Sequence, residues 1–461
     1  MSKPVAAVVF GTRPEAIKLA PVIEALRARP GLETRIVATA QHREMLDQML
    51  HVFDLRPDAD LDLMRPGQTL DEVTARILTE TGKVFDAMKP SLVLVEGDTT
   101  TVFASALAAF YRRIPVGHVE AGLRSFQRYS PFPEEINRRL AGVLSDLYFA
   151  PTERARRNLL AEGFDPATIH VTGNTVVDAV RSVLARTQEP DLAFLDGKQI
   201  PIPKAQPPMN SNANPNSNDG PHTGHTAYST QLPESAGQAT VPTSYPPTFI
   251  SSDSRVHRKL VLVTAHRRES FGQPLRDALR TIKRIAESRE DVQFVYPVHP
   301  NPNVRAAVAD VFGSEEVKKI RSYEEEHPGD SDSFLISYPH NFLTSNILLT
   351  PPLSYIPFVH LMKRAHILLT DSGGIQEEGT ALGKPILVLR EVTERPEGVE
   401  AGGAELVGTD PARIEQALTR LLDDADAYGR MARARDVFGD GKAGERIAGI
   451  CEAFLRSRAG K

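Results

Sequence analysis

Short continuous apolar runs rich in Val, Ile and Leu alternate along this chain with longer stretches whose apolar positions recur at helical spacing. Strands are predicted at VAAVVF (5–10), TRIVATA (34–40), LVLVEG (92–97), PVGHVE (115–120) and LYFAP (147–151). A second series follows at KLVLVTAH (259–266), VQFVYPVH (292–299), NILLT (346–350), HILLTD (366–371) and PILVL (385–389). Apolar strands separated by helices predict parallel sheets covered on both faces. Two such series predict an α/β chain of two doubly wound domains.

The pattern breaks between them. From about 197 to 257 the chain is rich in Pro, Ser, Asn and Thr, and between Ile202 and Leu232 only Met209 and Tyr228 are large and apolar. Such a segment buries too little surface to offset its ordering entropy, so 197–257 is expected to be a disordered insert. The expected domains are therefore 1–196 and 258–445. A C-terminal helix over 446–461 is expected to pack back toward the first domain. A second irregular insert is expected at about 314–344, which contains YEEEHPGDSDS and FLISYPHNFLTS.

Composition narrows the function. At 461 residues, with 41% hydrophobic and 25% charged residues, the chain has room for two or three cores. A formal net charge of -5 gives no reason to expect a nucleic-acid partner. The basic run ERARRN (153–158) fits a solvated helix face. One cysteine, Cys451, excludes an intrachain disulfide and a thiol-based zinc cluster. The apolar run near the N-terminus is too short for a signal peptide, and no run approaches the ~20 residues of a membrane span. A cytoplasmic protein is expected.

In open parallel sheets ligands bind beyond the carboxyl ends of the strands. In the first half those ends carry GTRPEAIK (11–18), Asp98 in EGDTTT and Glu120 in GHVEAGLRS, with Glu134 in SPFPEEINR. Thr12 and Glu15 fit a capping box and Pro14 suits a first helical turn, which places Arg13 and Lys18 near a helix N-terminus that favours anions. The turn is not G-x-G-x-x-G, so a dinucleotide redox site has no support. Three acids converging on one crevice would spread their pKa values.

The second half is of opposite character, with TAHRRES (264–270), PVHPNP (297–302) and TDSGGIQEE (370–378) at its strand ends. Ser372, Gly373 and Gly374 would let backbone N–H groups close on phosphate oxygens. Glu378 lies ~9 Å further along a helix, about the span from a diphosphate to a ribose. His266 and Arg395 are natural additional phosphate donors. The pattern points to a nucleoside diphosphate.

Together, GTRPEAIK, QHREML, GDTTT, HVEAGLRS, SPFPEEINR, GNTVVDA, TAHRRES, PVHPNP, DSGGIQEE and LGKPILVLREVTERPEG resemble the bacterial non-hydrolysing UDP-N-acetylglucosamine 2-epimerases. The resemblance runs through 4–195, 258–313 and 345–455. It implies two Rossmann-like domains in a GT-B-like arrangement, a site in the cleft, and a homodimer. It also implies interconversion of UDP-N-acetylglucosamine and UDP-N-acetylmannosamine through anti elimination of UDP to 2-acetamidoglucal and re-addition, with no metal or nicotinamide cofactor. Motif by motif, Asp98, Glu120, Glu134 and His266 fall at catalytic positions. Arg13, Lys18, Phe358, Ser372, Gly373, Gly374, Glu378 and Arg395 fall at substrate-binding ones. Gln41, His42, Arg267, Glu269 and His299 match the surroundings of a regulatory nucleotide-sugar pocket. Glu44 and Gly67 stand where strongly regulated members are expected to carry Gln and Arg. A glycosyltransferase of the same architecture, a hydrolysing epimerase and an inactive UDP-sugar-binding protein are the alternatives.

Overall fold

The computed structural model describes residues 3–39, 49–65, 67–189, 258–327, 343–344, 346–434 and 436–459. The Pro- and Asn-rich segment 197–257 therefore lies outside the described residues.

The first half runs β1 (Val5–Phe10), α1 (Arg13–Arg27), β2 (Glu33–Ala38), β3 (Ala59–Asp60), α2 (Leu70–Met88), β4 (Leu92–Glu96) and α3 (Thr100–Tyr111). It continues with β5 (Val116–Val119), α4 (Glu134–Val143), β6 (Leu147–Ala150), α5 (Glu153–Ala161), β7 (Ile169–Val171) and α6 (Thr175–Arg186). Its sheet has the order β3-β2-β1-β4-β5-β6-β7, all parallel. β4 is buried from Leu92 to Glu96, as a strand covered on both faces must be.

The second half runs β8 (Lys259–Thr264), α7 (Gln273–Ser288), β9 (Val292–Pro297), α8 (Pro302–Phe312), α9 (Ser314–Glu326), β10 (Leu343–Thr344), β11 (Ile347–Thr350) and α10 (Tyr355–Arg364). It closes with β12 (Ile367–Thr370), α11 (Gly373–Ala381), β13 (Ile386–Val388), α12 (Pro396–Glu400), β14 (Ala404–Leu406), α13 (Pro411–Asp423), α14 (Ala425–Ala432) and α15 (Ala443–Ala459). The order is β10-β11-β9-β8-β12-β13-β14, parallel except for the antiparallel β10–β11 pair.

The two halves share buried surface. Val176 and Val177 of α6 pack with Phe438. Buried Ile447, Ala448, Cys451 and Leu455 line α15, which lies along α1. No helix among the described residues is long and apolar enough to cross a membrane.

The segment expected to be irregular from 314 begins instead with a regular helix. Ile320 and Tyr323 of α9 are buried, and Arg305 of α8 pairs with Glu324 at 2.5 Å. The i, i+3 spacing of Ile320 and Tyr323 puts both on one face, a signal masked by the surrounding Lys and Glu residues. The four strands not anticipated, β3, β7, β10 and β14, have only two or three residues each, too few to show a period.

Candidate active site

Strand order reverses between β1 and β4 in the first sheet and between β8 and β12 in the second. Ligand crevices of open parallel sheets form at such switch points. Arg13, Asp98, His266 and Ser372 all follow these four strands within a few residues.

Beyond β1, Thr12 caps α1 in a complete capping box with Glu15, worth about 1 kcal/mol. The Glu15 carboxylate accepts from the Gly11 N–H at 2.5 Å and the Thr12 N–H at 3.2 Å. Burial still pushes it up to about 6. One turn on, half-buried Lys18 reaches Glu120 at 2.5 Å and Glu96 at 3.1 Å. Burial opposes the charge on Lys18, but the carboxylates of Glu120 and Glu96 outweigh it and raise the ammonium's pKa.

Glu120 sits just past β5 with φ +62°, in the left-handed region that non-glycine residues rarely occupy. Such strain clusters at functional sites. Burial works against its ionisation, yet Lys18 and Arg395, with hydrogen bonds from Lys18 and Asn174, hold it down at about 2. Next to it, His118 is buried and burial lowers it to about 4. It is therefore neutral at pH 7. Its Nε2–H donates to the Gly97 carbonyl at 2.7 Å.

Asp98 accepts a hydrogen bond from the buried Arg138 guanidinium. Arg138 also contacts Glu135 at 3.3 Å, and Glu135 in turn accepts from the Ser125 and Phe126 N–H groups at 3.0 and 3.3 Å. Glu134 opens α4 with Oε2 buried and without a hydrogen-bond partner. Burial raises its pKa, helped by the charge of Asp98 and opposed by Arg138 and Arg267.

In the second half Asp371, fully buried, accepts the backbone N–H groups of His266 and Arg267 at 2.6 and 2.7 Å. His266 Nδ1 lies 3.3 Å from Asp371 Oδ1, and its ring stacks on His299 with centroids 5.0 Å apart. Burial lowers the pKa of His266. Ser372 is the N-cap of α11 and makes no side-chain capping bond. The first N–H groups of that helix thus keep their capacity for an anion.

Arg395 Nε donates to Glu377 Oε1, whereas Arg395 Nη1 is buried and makes no hydrogen bond. Glu378 accepts from the Tyr355 hydroxyl at 3.3 Å. Burial, then the charge of Glu377, pushes Glu378 up to about 7, against the pull of Lys18 and Arg13. Phe358, on α10, is half-buried and packs against the hydrophobic core.

The structure brings most of the expected residues into one electrostatic neighbourhood across the cleft. Lys18 feels Glu377 and Arg395, Glu120 feels Arg395, Arg13 feels Glu378, and Glu134 feels Arg267. Among the residues matched to a regulatory pocket, Arg267 and His299 adjoin His266, and Glu269 pairs with Arg390 at 2.7 Å. Gln41 and His42 lie outside the described residues. Glu96, Arg138, Asn174, Tyr355, Asp371 and Glu377 were not anticipated as participants. Glu96, the one charge in LVLVE, carried a readable signal, since an acid at the end of a buried strand needs a partner. Among the described residues no group of three or more His, Cys, Asp or Glu is placed to hold a metal ion.

Similarity to known proteins identifies the family. The family described as UDP-N-acetylglucosamine 2-epimerase matches residues 24–200 and 222–452. UDP-N-acetylglucosamine 2-epimerase of Escherichia coli K12 is 44% identical over 439 residues, covering 95% of this chain and 96% of its own. That of Bacillus subtilis is 41% identical, covering 95% and 92%. Among solved structures, the Neisseria meningitidis UDP-GlcNAc 2-epimerase bound to UDP-GlcNAc superimposes with a TM-score of 0.73 at 38% identity, covering 98% of this chain and 100% of that one. With its two Rossmann-like domains in a GT-B-like arrangement and its charged cleft, this chain belongs to the UDP-N-acetylglucosamine 2-epimerase family.

Proposed function

We propose that this protein interconverts UDP-N-acetylglucosamine and UDP-N-acetylmannosamine without net hydrolysis, by eliminating UDP to 2-acetamidoglucal and adding it back. The observation that carries the reading is the meeting of Lys18 and Glu120 from one half with the Arg395–Glu377 pair from the other. A basic wall for departing diphosphate faces carboxylates that can handle a carbon-bound proton and a developing cation. The diphosphate would lie on the Ser372–Gly374 turn with Arg395 and His266, and the ribose on Glu378. Preorganised donors of this kind stabilise the leaving group.

The carboxylates divide by environment. Glu120, held ionised by Lys18, is a poor base but a fixed negative charge for the cation that forms at carbon 1 as the bond to UDP breaks. Asp98 and Glu134 suit the acid–base couple at carbon 2, because burial and mutual repulsion push Glu134 toward its protonated form. Turnover in heavy water should place deuterium at carbon 2 of both epimers, and Asp98→Asn should lose at least ~10²-fold in kcat. Product without deuterium would rule out elimination. Free N-acetylmannosamine as main product would move the enzyme to the hydrolysing class.

The exposed side chains Phe110 and Tyr111 on α3, with Leu140 and Val143 on α4, favour a homodimer that covers this face. Light scattering should give twice the chain mass, and Val143→Glu should reduce it. A wild-type protein that stays monomeric at micromolar concentration would refute the dimer.

A further inference from the structure

The side chain and backbone N–H of Asn174 make three hydrogen bonds that leave it no freedom. It is buried as the N-cap of α6, and its Oδ1 accepts from the Val176 N–H at 3.0 Å. A helix N-terminus presents donors only, so this bond fixes which way the amide faces. Nδ2 is therefore the atom that meets Glu120, donating to Oε1 at 3.0 Å. The Asn174 backbone N–H donates to the Phe438 carbonyl at 2.6 Å, outside its own domain.

That last contact allows no side chain. Gly173 and Gly439 both have positive φ, and a Cβ on Gly439 would stand 3.1 Å from Gly173 Cα and 3.3 Å from Asn174 N. The segment after α14 is further held to α6 by the Gly444 N–H on Asp178 Oδ1 at 2.9 Å. The C-terminal crossover thus grips the cap of α6 at its first residue and again one turn later.

The consequence falls on Glu120. Both of its donors, Lys18 Nζ at 2.5 Å and Asn174 Nδ2 at 3.0 Å, land on Oε1, and among the described residues no hydrogen bond falls on Oε2. One oxygen is anchored and the other is left for the cleft. We infer that Asn174 is a positioning residue for Glu120, and that the crossover around Phe438 and Gly439 sets its orientation. This rests on the role given to Glu120 above.

Substitutions that keep the cap separate positioning from folding. Asn174→Ser retains an acceptor for the helix but is too short to reach Glu120; Asn174→Asp also caps well but puts a like charge beside it. Besides residue 174, Glu120 is faced by Lys18 of α1, Glu96 of β4, His118 of β5, Glu377 of α11 and Arg395 before α12. None of these is altered. With the full-length enzyme and UDP-N-acetylglucosamine, Asn174→Ser should lower kcat about 10–100-fold, the scale of a misplaced group. KM and thermal stabilisation by UDP should be unchanged. Asn174→Asp should in addition move the acid limb of the kcat profile to higher pH, because a neighbouring carboxylate makes Glu120 easier to protonate. Glu120→Gln is assayed alongside. If it is inactive while both Asn174 variants keep wild-type kcat and acid limb, the positioning role is refuted. If Glu120→Gln itself turns over normally, the role of Glu120 fails first and the inference falls with it.

Discussion

Glu377 and Glu378 are neighbours in sequence with opposite tasks. Glu377 spends its charge on Arg395, whereas among the described residues the Glu378 carboxylate accepts a hydrogen bond from the Tyr355 hydroxyl alone, at 3.3 Å, and is pushed by burial up to about 7. An unfolded glutamate ionises near ~4.3. Between that value and about 7 the folded protein holds a proton that the unfolded chain has already lost. Stability therefore falls as pH rises through this window and stays lower above it, a loss on the order of 3 kcal/mol. A ribose whose hydroxyls both donate needs the ionised form, so nucleotide binding would expel this proton. Glu378→Gln should raise the melting temperature of the ligand-free protein at pH 8, with the gain shrinking toward pH 5. It should also weaken UDP binding about tenfold or more. A variant whose stability follows pH as the wild type does would show that another group titrates. The sequence placed Glu378 ~9 Å along a helix beyond a turn expected to hold an anion. It did not show Glu377 engaged with Arg395, because that pair joins residues 18 positions apart in different elements.

At the scale of elements, legibility followed length and burial. The ten strands read from the sequence are all present because most are short, continuous apolar runs. The candidate site residues were chosen by looking just past those strands, where ligands bind in parallel sheets that reverse their order. Contacts made by later segments, such as Phe438 on Asn174, leave no local pattern and were invisible. Helix α9 is the instructive miss, since its polar face dominated the composition. Its worth is testable. Tyr323 is almost wholly buried and its ring stacks on His327 at 4.4 Å. Tyr323→Ala should cost about 3–5 kcal/mol in urea unfolding, the range for large aromatic truncations, with kcat unchanged because α9 packs on α8 and β11. A loss below ~1 kcal/mol would mean that α9 is an appendage and that the whole of 314–344 can be treated as an insert.

At the scale of the whole molecule, the C-terminal helix decides whether the halves are separable. The face of α15 carrying Ile447, Ala448, Cys451 and Leu455 lies along α1, and Arg29 pairs with Glu452 at 3.7 Å. The ion pair is partly exposed and adds little. The apolar contact contributes more, since fully burying an aliphatic side chain is worth about 1.5–3 kcal/mol. A first domain cut out at 1–196 would expose that strip of α1 to water along with the cleft wall. Truncation after 442 should therefore leave both sheets encoded but give an aggregating or markedly less stable protein. Deleting 203–250, where the sequence holds few apolar residues, should leave melting temperature and turnover nearly unchanged. Supplying 443–461 as a separate peptide should restore solubility to the truncated chain if the loss is one of covering alone. A protein truncated after 442 that melts at the wild-type temperature would show that α1 needs no cover, and that the first domain stands on its own core.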